Sequence, residues 1–276
     1  MSFIEQARWF GATDTPETAT RPGRVTLVGA GPGDPELLTL RAVKALRGAR
    51  MVLYDHLVSK DVLRYVAEDA DLIYVGKEAS HHTLPQESII DLMLRLARSG
   101  RSLVRLKGGD GFIFGRGGEE AMALAQAGIA FDVVPGITAA QAAGACAGIP
   151  LTHRDHACTL VFATGHLRAG RQVELDWPAL ARPNQTVVIY MGVGNLPVIC
   201  SELQRHGLPG DTPAALVEQA SLPSQRTVAG TLERLPALAR EQRVRAPALI
   251  VIGSVVSLQP QLAAGMAQRA LEHGLA

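Results

Sequence analysis

The apolar run Val25-Thr26-Leu27-Val28 empties directly into Gly29-Ala30-Gly31-Pro32-Gly33-Asp34. This pattern constrains the fold strongly, because glycine alone takes positive φ at little cost and lets main chain approach another backbone or a ligand closely. Pro35 then suits the first turn of a helix. Leu37, Leu40, Val43 and Leu46 recur at near-helical spacing, which predicts one helix over 36–47. Strand, tight turn and helix in this order open a parallel βα sheet. Against a dinucleotide fingerprint G-x-G-x-x-G, Gly29 and Gly31 fit but the third glycine slot is Asp34. Asp55 follows about twenty residues on, where such a fold keeps its acidic ribose partner. A nicotinamide-dependent oxidoreductase and a plain βα turn both stay open at this point.

The alternation continues along the chain. Strands are predicted at 51–54, 72–75, 103–106 and 131–134, with helices at 85–98 and 119–127. A second series follows, with strands at 159–164, 186–191, 214–218, 227–229 and 248–252 and helices at 196–205 and 232–240. No helix precedes 224–230, so some antiparallel pairing is expected there. The reading is α/β, with one domain over 24–135, a second over 136–276 and a hinge at Pro135-Gly136. Residues 1–23 mix charges and threonines without an apolar core and read as a loose tail. The cleft between the domains is the default pocket.

Composition narrows the partners. A chain of 276 residues that is 47% hydrophobic can bury a substantial core. Its net charge of +1 gives no polyanion-binding signature, and 4% aromatics argue against a base-stacking surface. No nucleic-acid partner is expected. Cys146, Cys158 and Cys200 form neither a zinc pattern nor a disulfide framework, which suits a reducing cytoplasm. The best apolar run, 248–258, is too short to span a bilayer and is broken by Gly253 and Ser254. Lysine occurs only at Lys44, Lys60, Lys77 and Lys107, so arginine, whose fork suits carboxylates, dominates the basic residues.

Two further loops fall on the rim of the first glycine turn. One runs Lys107-Gly108-Gly109-Asp110-Gly111-Phe112-Ile113-Phe114-Gly115-Arg116-Gly117-Gly118-Glu119-Glu120, too rich in glycine for turn geometry alone. The other is Val134-Pro135-Gly136-Ile137-Thr138-Ala139-Ala140, in which Thr138 is placed to cap the small-residue helix that follows.

These stretches, with Leu38-Thr39-Leu40-Arg41-Ala42, Tyr54-Asp55, Val75-Gly76-Lys77 and Gly148-Ile149-Pro150-Leu151-Thr152-His153-Arg154, resemble the uroporphyrinogen-III C-methyltransferases of the tetrapyrrole (class III) methyltransferase family. The resemblance runs from about residue 23 to 258, in order and in spacing. It implies two α/β domains of the tetrapyrrole methylase fold with the cofactor in the cleft between them, in a cytoplasmic homodimer. It implies transfer of methyl groups from S-adenosyl-L-methionine to C-2 and C-7 of uroporphyrinogen III. The product, precorrin-2, serves cobalamin, sirohaem or haem d1. No metal is expected, and no membrane. No dehydrogenase or chelatase segment accompanies the match, so a stand-alone methyltransferase is expected.

The resemblance also assigns residues. Pro32, Gly108, Gly109, Asp110, Ile113, Thr138, Ala139, Met191, Ala220 and Ala248 should border the cofactor. Asp110 would accept from the ribose or the methionine ammonium; a turn aspartate bonded to its own loop is the alternative. Met191 ends an apolar run and reads equally as core filler. Asp55 and Lys77 match the family's proton acceptor and donor, although alone they read as a turn cap and a solvated charge. Arg116 and Arg154 are candidates for the substrate carboxylates. Glu119, three residues from Arg116 on a nascent helix, would orient it or meet the pyrrole N–H groups. His81, His82 and His166 read as exposed loop residues. Two departures stand out: Gly111 replaces the proline of the family's Gly-Gly-Asp-Pro-Phe, and Ala220 stands where many relatives have glycine. A sibling enzyme acting on a later corrin precursor, on diphthamide or on ribosomal RNA, and more remotely an NAD(P)-dependent oxidoreductase, remain alternatives.

Overall fold

A computed structural model describes residues 21–76, 85–165 and 175–272 of the chain. The first series of strands forms β1 (Val25–Gly29), β2 (Met51–Tyr54), β3 (Asp71–Tyr74), β4 (Leu103–Lys107) and β5 (Phe131–Val134). They lie in the order β3-β2-β4-β1-β5 and are all parallel. Strands covered on both faces need apolar residues on both. Val25, Leu27, Met51, Leu53 and Leu103 accordingly pack against Ile89, Met93 and Leu96 of the helix Gln86–Arg98. On the other face Val28, Val52, Val104 and Leu106 meet Ala42, Leu46 and Val62.

The single helix expected over 36–47 is two pieces. Asp34 accepts from the Glu36 N–H at 2.8 Å and caps a 3-10 turn, Pro35–Leu37. Leu38 is extended, and Thr39 restarts the chain as the α-helix Leu40–Arg47 by accepting from the Ala42 N–H at 3.1 Å. Two side-chain caps in six residues make two starts. Leu40 therefore leaves the apolar stripe and is 89% exposed.

The second series forms β6 (Thr159–Thr164), β7 (Gln185–Tyr190), β8 (Pro213–Glu218), β9 (Arg226–Thr231) and β10 (Ala248–Ile252), in the order β6-β7-β10-β8-β9. Only β6 and β7 pair in parallel; the rest are antiparallel. The helices Leu196–Arg205 and Leu235–Glu241 cover one face. On the other, Ala140, Ala143 and Ala147 of the helix Ala139–Ala147 meet Val188, Tyr190, Val217 and Leu249. The register sets Ala248 opposite Glu218 and Ile250 opposite Ile189. Met191, Ala220 and Ala248 thus share one edge of this sheet.

Candidate functional site

The three glycine loops meet at the carboxyl ends of β1, β4 and β5. The Ala30 N–H donates to the Lys107 carbonyl at 2.7 Å, and Gly31 and Gly109 exchange both backbone hydrogen bonds, at 3.1 and 2.7 Å. Gly29, Gly109 and Gly136 pack main chain on main chain. A Cβ on Gly136 would lie 2.3 Å from the Gly109 oxygen, and one on Gly29 would lie 2.5 Å from the Gly136 nitrogen. No larger residue permits this approach.

Asp110 ties the second loop to the third. Its Oδ1 accepts from the Phe112 N–H at 2.8 Å and its Oδ2 from the Gly136 N–H at 3.0 Å. The carboxylate is thus a loop staple, and each oxygen keeps a lone pair for a further donor. Gly33 reaches outward: its carbonyl accepts from Ser59 Oγ at 2.6 Å. The neighbouring Asp34 N–H donates to Ser221 Oγ at 3.3 Å, so the first turn also touches the β8–β9 turn of the second sheet.

Thr138 does not cap its helix with its own side chain. Its Oγ1 shares a 2.6 Å hydrogen bond with the Tyr190 hydroxyl, and that hydroxyl accepts from the Ala140 N–H at 3.1 Å. The cap comes from a strand of the second sheet. Burial pushes the Tyr190 phenol above its usual range, and the Thr138 bond opposes this.

Phe114, Arg116, Met191, Gln219 and Ser221 all take left-handed φ, between 49° and 70°, and only two other non-glycine residues do so among the described residues. Such conformations cost of order 1–3 kcal/mol each and persist where surrounding structure enforces them. Here they crowd the loops that face one another. Large apolar side chains are exposed in the same loops, Phe112 at 55%, Met191 at 49% and Phe114 at 39%, and Leu57, after β2, is 47% exposed. Met191 is therefore not core filler. Gly108 sits against Leu57, and the Phe114 and Tyr190 rings lie 4.9 Å apart. Ile113, Ala139 and Ala220 pack beside Tyr190 in the same cluster, while Pro32 is half-buried in the first turn. Apolar walls over bare main chain suit a nucleoside and a flat macrocycle better than a small polar ligand.

The ionisable residues sit around this cradle. Asp55 follows β2; its Oδ1 accepts from the Leu57 N–H at 3.2 Å and its Oδ2 from Arg105 Nη2 at 3.4 Å. Arg116 and Glu119 form two parallel bonds of 2.8 and 2.7 Å, half-exposed. The Glu119 hydrogen bond holds the guanidinium still more firmly protonated. Lys77, His81, His82 and His166 lie outside the described residues.

Arg154 is not brought to this group. It is exposed on the turn closed by His153 and Ala157, whose His156 carbonyl accepts from Ser254 Oγ at 3.1 Å. Ser254 follows the end of β10, so the turn lies at the edge of the second sheet away from Met191, Ala220 and Ala248. Three residues to which the sequence assigned no role stand beside the site instead: Arg105, Lys107 and Glu120, all buried. Burial, and the Arg105 charge after it, pushes the Lys107 ammonium below its usual range. Among the described residues no group of three metal-ligating side chains occurs, and no helix is long and apolar enough to cross a membrane.

Residues 24–236 match the family described as Tetrapyrrole (Corrin/Porphyrin) Methylases. The chain is 56% identical over 241 residues to the siroheme synthase of Nitrosospira multiformis, covering 87% of this chain and 51% of that protein. It spans about half the length of the curated relatives it matches. Among solved structures it resembles the uroporphyrin-III C-methyltransferase of Thermus thermophilus complexed with S-adenosylhomocysteine. Identity there is 44% and the TM-score 0.74, over 86% of this chain and all of that one. A cobalt precorrin-4 methyltransferase shares the fold at TM-score 0.75 with 28% identity, over 88% of this chain and 99% of that one.

Proposed function

This chain belongs to the tetrapyrrole (corrin/porphyrin) methylases, and on that premise we propose that it methylates uroporphyrinogen III at C-2 and C-7 with S-adenosyl-L-methionine, giving precorrin-2 by way of precorrin-1. The observation that carries this reading is the meeting of Gly29, Gly109 and Gly136 under an apolar rim, with Asp55 beside it. The 44% identity to the Thermus thermophilus enzyme favours it over a later corrin substrate, for which the solved relative is 28% identical. Against a nicotinamide cofactor, Asp34 is a cap where a third glycine is needed, and Asp55 is engaged by Arg105.

The residues present suit S-adenosyl-L-methionine. Pro32, Gly108, Gly109, Ile113, Ala139, Met191, Ala220 and Ala248 would hold it against backbone and apolar surface. Asp110, already stapling its loop, would offer its remaining lone pairs to ribose or ammonium donors, and Thr138 would be fixed by Tyr190. When bound, the cofactor supplies a methyl group that its sulfonium already activates. What the protein adds is alignment of an electron-rich pyrrole carbon and removal of a proton from the methylated ring. Asp55 would hold that proton on Oδ1 or Oδ2, with Lys77 as donor. Arg116, locked in its fork by Glu119, would present a fixed cation to the carboxylates of the macrocycle. Arg154 would reach them only from another copy of the chain, and we propose a cytoplasmic homodimer with domains 24–135 and 136–276.

The test is incubation of the purified protein with enzymatically generated uroporphyrinogen III and isotopically labelled S-adenosyl-L-methionine, followed by mass analysis. Two added methyl groups are expected. No transfer to uroporphyrinogen III, with transfer to a later corrin or with tight NADH binding, would replace this reading by the corresponding alternative.

A further inference from the structure

Beneath the loop that follows β4, four charged side chains are packed in line. Glu120, in the first turns of the helix Gly117–Gln126, is wholly buried. Its Oε1 accepts from Lys107 Nζ at 3.0 Å, from Gln86 Nε2 at 3.0 Å and from Arg105 Nε at 3.2 Å. Its Oε2 is equally buried and has no partner. Arg105 spends Nη1 on the Leu106 and Leu53 carbonyls, at 3.0 and 3.4 Å, and turns Nη2 to Asp55. The row runs from Gln86 and Lys107 through Glu120 and Arg105 to Asp55, whose side chain is the most exposed of the four charged groups at 20%.

Stability does not explain the row. A buried ion cluster is often no better than apolar side chains of the same volume, and here it leaves one carboxylate oxygen unsatisfied. The geometry explains it better. One carboxylate oxygen collects both cations, which fixes the Arg105 fork so that its outer nitrogen can face only Asp55.

We propose that Glu120 is a positioning residue, which holds Arg105 in the one orientation that fixes the Asp55 carboxylate for proton removal. The inference rests on the methyl transfer proposed above. In that step a C–H bond of the methylated macrocycle breaks, its electron pair returns to the ring system and neutralises it, and the proton bonds to Asp55. Arg105 cannot give up its own proton. Once Asp55 is neutral, Glu120 remains as counter-ion to the buried guanidinium.

Glu120→Gln keeps the size and the accepting oxygen and removes the charge. It is compared with Asp55→Asn and with the double variant, using uroporphyrinogen III turnover for rate and S-adenosylhomocysteine calorimetry for an intact cofactor site. Expected is a kcat lowered at least about tenfold, with KM for S-adenosyl-L-methionine and Kd for S-adenosylhomocysteine held within about twofold. In the Asp55→Asn background the same change should cost nothing further, because both act on one step. An unchanged kcat, or equal losses in both backgrounds, overturns the proposal. Should Glu120→Gln fail to bind S-adenosylhomocysteine, Arg105→Lys takes its place; it keeps the charge but cannot bridge Glu120 and Asp55, and the same non-additivity with Asp55→Asn is required. A parent chain without methyl transfer refutes the function itself. An active parent with additive losses refutes the role of Glu120 alone.

Discussion

Gly111 is one of the two residues at which this chain departs from the resemblance that its loops suggest. Its φ lies outside the left-handed region, its carbonyl accepts from the Gly117 N–H at 2.8 Å, and a Cβ there would stand 3.2 Å from Lys107 Cδ. A Cβ at this position fits if the lysine stem yields by a few tenths of an ångström. Removing conformational freedom from the open loop is worth about 0.4–1 kcal/mol. Gly111→Pro should therefore tighten S-adenosylhomocysteine binding about two- to fivefold by calorimetry; equal or weaker binding would mean that crowding of Lys107 outweighs the gain in rigidity. Asp110 poses the opposite experiment. Asp110→Ala leaves the Gly136 N–H without its 3.0 Å partner and frees the loop from its staple. Loss of about 1–3 kcal/mol in urea denaturation is expected, together with weaker cofactor binding. Asp110→Asn, which keeps an accepting oxygen, should recover part of the stability.

The helix Ala139–Ala147 shows how an element can depend on a distant one. Its alanines allow close approach to the second sheet, but its amino end is satisfied by Tyr190 rather than by Thr138. Tyr190→Phe leaves the Ala140 N–H and Thr138 Oγ1 without that partner, and should cost about 1–3 kcal/mol in denaturant unfolding. Thr138→Val should cost less, because Tyr190 keeps the Ala140 bond. This relay was not legible in the sequence, where Thr138 stands at the ordinary position for a cap and its partner is 52 residues away. The strands were legible, because runs such as Val25–Gly29 and Gln185–Tyr190 are buried on both faces and carry few polar residues. The split at Leu38 was not, because Leu37 and Leu40 keep helical spacing across two competing caps, Asp34 and Thr39. The glycine loops announced the cradle. The ion row beneath it stayed hidden, since Arg105 and Lys107 alternate with apolar residues as an exposed face would, and only the central place of β4 buries them.

At the scale of the whole molecule, the two sheets are joined by loop contacts as well as by the chain between Val134 and Ala139. Asp34 meets Ser221, and Gly33 lies against the Leu222 side chain. Each sheet also carries a buried titratable group, and the two respond to alkali with opposite sign. In the first, the depressed Lys107 means that the unfolded chain binds more protons between the folded value and 10.5, so its contribution to stability rises with pH in that window. In the second, Cys200 is 2% exposed, and burial pushes its thiol from 9.0 to about 12. The unfolded thiol ionises from 9.0 upward while the folded one stays protonated, so this stabilising contribution is full below 9.0 and is lost as pH rises toward about 12. The loss approaches about 1.4 kcal/mol per pH unit. Cys200→Ala leaves a small cavity that costs stability equally at every pH, and it removes this slope. Urea unfolding of parent and variant at about pH 8 and about pH 10 should show the stability gap between them narrowing by about 1 kcal/mol at the higher pH. Lys107→Met should shift the other way, with the parent gaining on the variant as pH rises. A gap that stays constant for Cys200→Ala would mean that water reaches the thiol in the folded protein, and that the core between the helix Leu196–Arg205 and its sheet opens under alkali before the chain unfolds.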